Sequence, residues 1–292
     1  MHFLHFCQIK VIMYKNNNKK KYSSDKTKRG AYSEKPRFQK SQSDDEEMTA
    51  NVVCGRNAVH ELLKSGRSID KLFVRRGDRE GSITMIVAEA IARKIPVIEV
   101  DKAKIDALAD GANHQGVVAM AAAKEYVSVD EILDIARERG EKPFIVIADE
   151  IADPHNLGAI IRCAEGAGAH GLIIPKRRAS GLTAVVDKSS AGALEHIAIA
   201  KVPNLAAAID ELKEKGIWVY GAEADGTPYY ETKFDSATAI VVGSEGNGIS
   251  RLIREKCDFI ISIPMYGNVN SFNVSCAAAV LLCEAARQMR GN

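Results

Sequence analysis

From residue 143 onward the chain repeats one cadence, and that cadence limits its folds more than anything else in it. Six short apolar runs, FIVIAD (144–149), GLIIP (171–175), AIAKV (198–202), IWVYGAEA (217–224), AIVVGSE (239–245) and DFIISIP (258–264), recur along it. Segments with helical spacing follow most of them, among them LGAIIRCAEGAG (157–168), LAAAIDELKEKG (205–216), SRLIREK (250–256) and a final helix over 271–290. FIVIAD is a continuous apolar run rather than an alternating one, which is the pattern of a parallel strand covered on both faces. Strands of that kind separated by helices predict an α/β domain built on a parallel sheet over 143–292.

Upstream, residues 49–124 read as a smaller α/β domain. A short amphipathic helix (NAVHELLKSG, 57–66) stops at Gly66, and the strands KLFVRR (71–76), PVIEV (96–100) and QGVVAMAA (115–122) alternate with helical segments at 83–95 and 104–109. A charged helical stretch at 125–142 reads as a linker between the two domains. Residues 1–48 are polar, lysine-rich and poor in aliphatic side chains, so they are expected to be a disordered basic tail.

Charge and cysteine usage exclude several function classes. The tail carries +5 and the rest of the chain −3, so any nucleic-acid face on the folded body has to be a local patch. The six cysteines contain no CxxC pair and the histidines no HExxH, so neither a metal site nor a disulfide framework is expected. Cys276 and Cys283, seven apart in a helical pattern, share a face, read here as a core face. No apolar run approaches the roughly 20 residues of a membrane span and no signal peptide is read, so a cytoplasmic protein is expected.

The stretch VVGSEGNGIS (241–250) is a glycine-rich turn after a strand, a form that usually suggests phosphate binding. It fits neither phosphate pattern. A dinucleotide fingerprint sits early in a βαβ unit, but the turn at 149–162 reads DEIADPHNLGAIIR, without the glycines; GxxxxGK[ST] is absent. Glu245 in the middle of the loop would repel a pyrophosphate. The loop suits a ligand that is neutral or cationic where it touches, approached closely by backbone.

Three motifs carry a family resemblance. They are NLGAIIR (156–162), VVGSEGNGIS (241–250) and ISIPMYGNVNSFNVSCAAAV (261–280), in order within one domain. With them the chain resembles the SpoU (TrmH-like) ribose 2′-O-methyltransferases of the SPOUT class. The 51–123 segment resembles the L30e-like substrate-binding domain attached to that family, and the likeness spans about 50–290. It is nearest to the bacterial enzymes that methylate a guanosine in the peptidyl-transferase region of 23S rRNA.

The resemblance implies a deep C-terminal trefoil knot, S-adenosylmethionine as cofactor, 23S rRNA as partner, either naked or within an assembling large subunit, and a homodimer. It implies cofactor contacts at Gly243, Ser244, Gly248, Ile263, Met265 and Phe272, the last standing where the family usually has leucine. Arg162 is the implied activator of the ribose hydroxyl. Because a guanidinium stays protonated, it is expected to hold an RNA phosphate and stabilise developing alkoxide charge. Asn156 is expected to cap its helix or orient Arg162, Glu245 to place Arg162 or the ribose, and Ser271 and Asn273 to bond the catalytic loop or cap the last helix. His155 is a weaker candidate base. In the first domain, GRNAVHELL and ADGANHQGVVA resemble family landmarks, making Arg56, Asn57, His114 and Gln115 candidate RNA contacts. The alternatives are a tRNA guanosine 2′-O-methyltransferase, a non-catalytic RNA-binding or assembly protein of the same fold and, disfavoured by the missing fingerprint, a nicotinamide-linked enzyme.

Overall fold

A computed structural model describes residues 52–77 and 81–291; the tail expected at 1–48 lies outside them. The first domain is a four-stranded sheet with helices. In chain order it runs β1 (Val52–Cys54), α1 (Arg56–Ser65), β2 (Ile69–Arg75), α2 (Ser82–Ala92), β3 (Val97–Val100), α3 (Lys102–Ala109) and β4 (Val117–Ala121). Strand order is β1-β4-β2-β3, with β4 antiparallel to both neighbours and β2 parallel to β3. β1 is too short to have shown a period in the sequence. Helix α1 ends where Gly66 turns left-handed (φ 79), as its position after the last apolar residue predicts.

The second domain runs α4 (Val129–Arg139), β5 (Phe144–Ala148), α5 (Pro154–Gly166), β6 (Gly171–Pro175), α6 (Ala184–Ser190), β7 (Ala198–Val202), α7 (Leu205–Glu214), β8 (Trp218–Pro228), β9 (Thr238–Val242), α8 (Arg251–Lys256), β10 (Phe259–Ser262) and α9 (Val274–Met289). Its six strands are all parallel, ordered β10-β8-β9-β5-β6-β7. The continuous apolar runs have the expected cause. Val146, Leu172 and Ile240 pack on one face against Leu157, Ile160 and Leu282 of α5 and α9. Ile145, Ile147, Ile173 and Val241 pack on the other against Ile132, Ile209 and Ile253 of α4, α7 and α8.

Two sequence readings change. The stretch read as a linker contains α4, whose Ile132 is fully buried in the second domain's core, so it is a structural layer of that domain. A capping box closes its start, with Ser128 accepting from Glu131 N and Glu131 accepting in return. On α9, Cys276 and Cys283 do share a face, but it is the exposed one; Val274, Ala278, Leu281, Leu282 and Ala285 take the core. Helix α6 was not read from the sequence, since AVVDKSS lacks a full turn of apolar period.

The two domains meet through buried charge. Arg67 donates to Glu195 at 2.6 Å with both side chains largely buried, Ser65 Oγ donates to the other Glu195 oxygen at 3.0 Å, and His196 and Glu61 pair at 2.8 Å. Asp187, on α6, is buried beside this cluster with Oδ1 unpartnered among the described residues. Burial first, then the nearby Glu195 carboxylate, push its pKa up to about 7.

Candidate active site

The site lies where the parallel sheet ends. Parallel sheets place ligands beyond the carboxyl ends of their strands, at the point where strand order reverses. Here β5, β6 and β7 run to one side, and β8, β9 and β10 to the other. A cavity of about 660 Å³ opens beyond the ends of β9 and β10 and beside the middle of β8.

Each wall follows from local structure. The pairing of β8 with β10 jumps from Ile260↔Gly221 to Ile261↔Thr227, so Ala222 to Gly226 leave the ladder, and Ala222–Ala224 line the cavity. After β9 the chain makes a tight hairpin: Ser244 N donates to Gly248 O at 2.9 Å, and Gly248 N donates to Ser244 O at 3.0 Å. The glycines of this loop serve backbone-to-backbone approach. A Cβ on Gly243 would stand 2.1 Å from the Gly248 carbonyl carbon and 2.2 Å from Ile249 N. Gly248 itself is left-handed (φ 64).

Two carboxylates from neighbouring strands hold the far end of that loop. Glu223 accepts from Ile249 N at 2.6 Å, and buried Asp149 accepts from Ser250 N at 2.7 Å. Sequence reasoning missed both. Asp149 ends an apolar run, which was a usable signal; Glu223 looks like an ordinary solvent-side residue of a strand.

The residues expected at the cofactor are together. Gly243, Ser244, Gly248, Ile263, Met265 and Phe272 all line the cavity, with Phe272 half exposed at its lip. Glu245, Ser271 and Asn273 line it too. Asn273 is the hub. Its amide Nδ2 donates to Glu245 Oε1 at 2.6 Å and to Asn156 Oδ1 at 3.0 Å, while its Oδ1 accepts from Ser275 N and so caps α9. Asn156 does not cap α5: Asp153 does, accepting from His155 N, with Pro154 in the first turn. Buried Asn156 instead joins two motifs lying 117 residues apart.

Other expected residues lie elsewhere. Arg162 is exposed, has no polar partner among the described residues, and lines a second cleft of about 480 Å³ with Asn57, His60, Glu61, Glu165 and His196. His155 pairs with Ser189 Oγ at 3.1 Å, away from the cavity. In the first domain, Gln115 accepts from Arg56 N through Oε1 and from Arg56 Nε through its carbonyl, and His114 bonds Asp106 at 2.8 Å. Arg56 and Gln115 thus brace the start of α1 while His114 ties its turn to α3; Asn57 stays exposed. Helix α1 takes no side-chain cap from Asn57, which lies inside it.

Comparison with known proteins bears on this arrangement directly. Residues 143–283 match the SpoU rRNA Methylase family, and residues 52–127 match the family RNA 2′-O ribose methyltransferase substrate binding. A Bacillus subtilis protein, YacO, named for the TrmH family of tRNA/rRNA methyltransferases, is 46% identical over 239 residues, 82% of this chain and 96% of its own. The chain belongs to the SpoU/TrmH family of RNA methyltransferases. A Staphylococcus haemolyticus protein of the same family name is 47% identical over 238 residues, 81% of this chain and 95% of its own. Among solved structures, the SpoU methyltransferase AviRb of Streptomyces viridochromogenes in complex with AdoMet superposes with a TM-score of 0.68 at 25% identity, over 82% of this chain and 91% of that one. An AdoMet-bound rRNA methyltransferase of Sinorhizobium meliloti gives 0.69 at 25%, over 84% and 90%. The expected parallel α/β architecture is thus that of the family. Among the described residues no helix is long and apolar enough to cross a membrane, and no group of side chains could hold a metal ion.

Proposed function

We propose that this protein transfers a methyl group from S-adenosylmethionine to the ribose 2′-hydroxyl of a guanosine in the peptidyl-transferase region of 23S rRNA, acting as a homodimer. One observation carries the reading: the Glu245–Asn273–Asn156 chain of hydrogen bonds stands on the wall of a cavity closed by the Gly243–Gly248 backbone pinch.

The cavity suits the cofactor. Ile263, Met265 and Phe272 offer apolar contact for an adenine, and the Glu223 and Glu245 carboxylates favour a cationic ligand over a pyrophosphate. The pinch at Gly243 supports the knotted chain path of the family. Bound there, the cofactor supplies an electrophilic methyl on its sulfonium. This chain's part is to align and activate the hydroxyl, which is a poor nucleophile near neutral pH. With Oε1 held by Asn273, Glu245 keeps Oε2 for the ribose hydroxyl. Asn273, fixed at the start of α9, sets that carboxylate's position.

Arg162 stands apart from its own chain's cavity, which favours the dimer. Tyr266, Val269 and Phe272 form an exposed apolar lip where a second copy can seat. Arg162 of one copy then serves RNA held at the other's cavity, holding phosphate and stabilising alkoxide charge. Mixing Arg162→Ala with Glu245→Ala protein tests this. Activity regained in the mixture is expected; none regained counts against shared sites.

The deciding experiment is radiolabelled methyl transfer to unmodified 23S rRNA and, in parallel, to unmodified tRNA, with mapping of the methylated ribose. Label on a peptidyl-transferase guanosine is expected. Label on tRNA alone would keep the chemistry and replace the substrate. Cofactor binding with no transfer to either would favour a non-catalytic RNA-binding role.

A further inference from the structure

Six non-glycine residues among those described take left-handed backbone conformations: Lys94, Asp110, Gln115, Glu150, Arg178 and Ala191. Such residues persist only where surrounding contacts over-determine them, and they gather at ligand sites. Asp110 and Ala191 end helices α3 and α6, and Lys94 turns the chain just after α2. Glu150 (φ 55) and Arg178 (φ 60) differ from these, because they are paired with each other. Arg178 Nη1 donates to Glu150 Oε1 at 3.0 Å, which ties the turn after β5 to the turn after β6. Ser180 N donates to Ile151 O at 2.9 Å, a second tie between the same turns.

What the tie presents is cationic. The turn after β6 begins Lys176-Arg177-Arg178, all exposed. The side chains of Lys176 and Arg177 have no hydrogen bond or ion pair among the described residues, and the backbone beneath them is fixed by Lys176 N donating to Val202 O at 2.8 Å. Tyr126 secures the far end of the turn. Its hydroxyl accepts from Leu182 N at 3.1 Å, and its ring carries Lys201 Nζ 4.9 Å from its centre. Two free cations on a braced turn lose little freedom when they bind an anion.

The position completes the argument. Asp149, the neighbour of Glu150, holds Ser250 N at the end of the cofactor loop. Two successive residues after β5 therefore anchor the cavity on one side and the cationic turn on the other. In the sheet β6 lies two strands from β9, a separation of roughly 10 Å at the usual spacing. A few nucleotides of single-stranded RNA are long enough to span that separation from the cavity to this turn.

We propose that the Lys176–Arg177 turn is a phosphate-binding site for the RNA strand beside the target nucleotide, presented by the Glu150–Arg178 pair. The proposal rests on the RNA-methyltransferase reading above. It assigns backbone grip, not base choice, to these residues.

The test uses the full chain with Lys176→Ala/Arg177→Ala and, as its charge-conserving counterpart, Lys176→Arg/Arg177→Lys. Binding of unmodified 23S rRNA is measured against salt concentration, and cofactor binding by calorimetry. Loss of two phosphate contacts should make the slope of log K against log salt shallower by about 1.4, at roughly 0.7 per single-strand contact. The alanine pair should also raise the KM for RNA several-fold, with kcat at saturating RNA and cofactor affinity unchanged, and the charge-conserving pair should behave as wild type. RNA affinity and salt slope unchanged in the alanine pair would overturn the proposal. Salt slope lost in the alanine pair, in a protein whose wild type methylates neither rRNA nor tRNA, would uphold the turn and remove the substrate reading.

Discussion

Replacing Gly243 with alanine should disable cofactor binding while leaving most of the fold in place. The added methyl would lie 2.1–2.2 Å from three backbone atoms of Gly248 and Ile249, and no side-chain rotation can relieve that contact. The hairpin after β9 would have to shift by roughly 1.3–1.4 Å to restore an ordinary contact near 3.5 Å. It is pinned by two backbone hydrogen bonds between Ser244 and Gly248 and by two more, at 2.6 and 2.7 Å, to Glu223 and Asp149. Neutral bonds are worth about 1 kcal/mol each and carboxylate-accepted ones roughly 1.5–3, so releasing the four costs roughly 5–8 kcal/mol. If about 4 kcal/mol of that falls on the bound state, cofactor affinity drops about a thousandfold. Gly246→Ala is the control in the same loop. Unlike Gly243 it has positive φ (85), but nothing lies within 4 Å of the new methyl, so only the left-handed penalty of about 1 kcal/mol applies. Calorimetry with S-adenosylmethionine and thermal melting of the two variants separate the cases. If Gly243→Ala binds cofactor as Gly246→Ala does, while melting as wild type, the backbone pinch is not what shapes the pocket.

Asn273→Ala should lower kcat far more than cofactor affinity, because it frees Glu245 and Asn156 together; losing the α9 cap should cost about 1 kcal/mol of stability in denaturant melts. Asp187 has a folded-state pKa raised from 3.8 to about 7, so the stability of the protonated form is complete below about pH 4 and lost as pH rises toward 7. Asp187→Asn should flatten that window and be more stable than wild type at pH 8, by at most about 4 kcal/mol at 1.36 kcal/mol per pKa unit; equal stabilities at pH 8 would refute it. Among the described cysteines, thiol labelling read by mass spectrometry should modify Cys276 and Cys283 first. Cys54 and Cys257, whose burial pushes their thiols up to about 11 and about 12, should stay unlabelled until unfolding.

Much of the architecture was legible because its cause is local. Runs such as FIVIA are buried on both faces, so their apolar continuity names a parallel strand, and the helices between them announce their period. The cavity-lining residues were legible as motif positions, and their clustering follows from the second and third motifs starting at the ends of β9 and β10, on either side of β8. Other features lay beyond the sequence. Helix α6 is too short to show a period. The orientation of α9 depended on which of its faces the sheet covers, so Cys276 and Cys283 fell outside.

What the sequence determined by itself was the kind of fold, a parallel α/β sheet with a smaller α/β domain before it, and the family chemistry that its three motifs carry. Only the tertiary structure decided who meets whom. Asn156 reaches Asn273 across 117 residues, Glu223 and Asp149 clamp a loop lying in neither of their own segments, and Arg162 faces a cleft shared with Asn57 rather than its own cavity. Periodicity records which face of an element is buried. It does not record strand order, and strand order brings these side chains to the same end of the sheet.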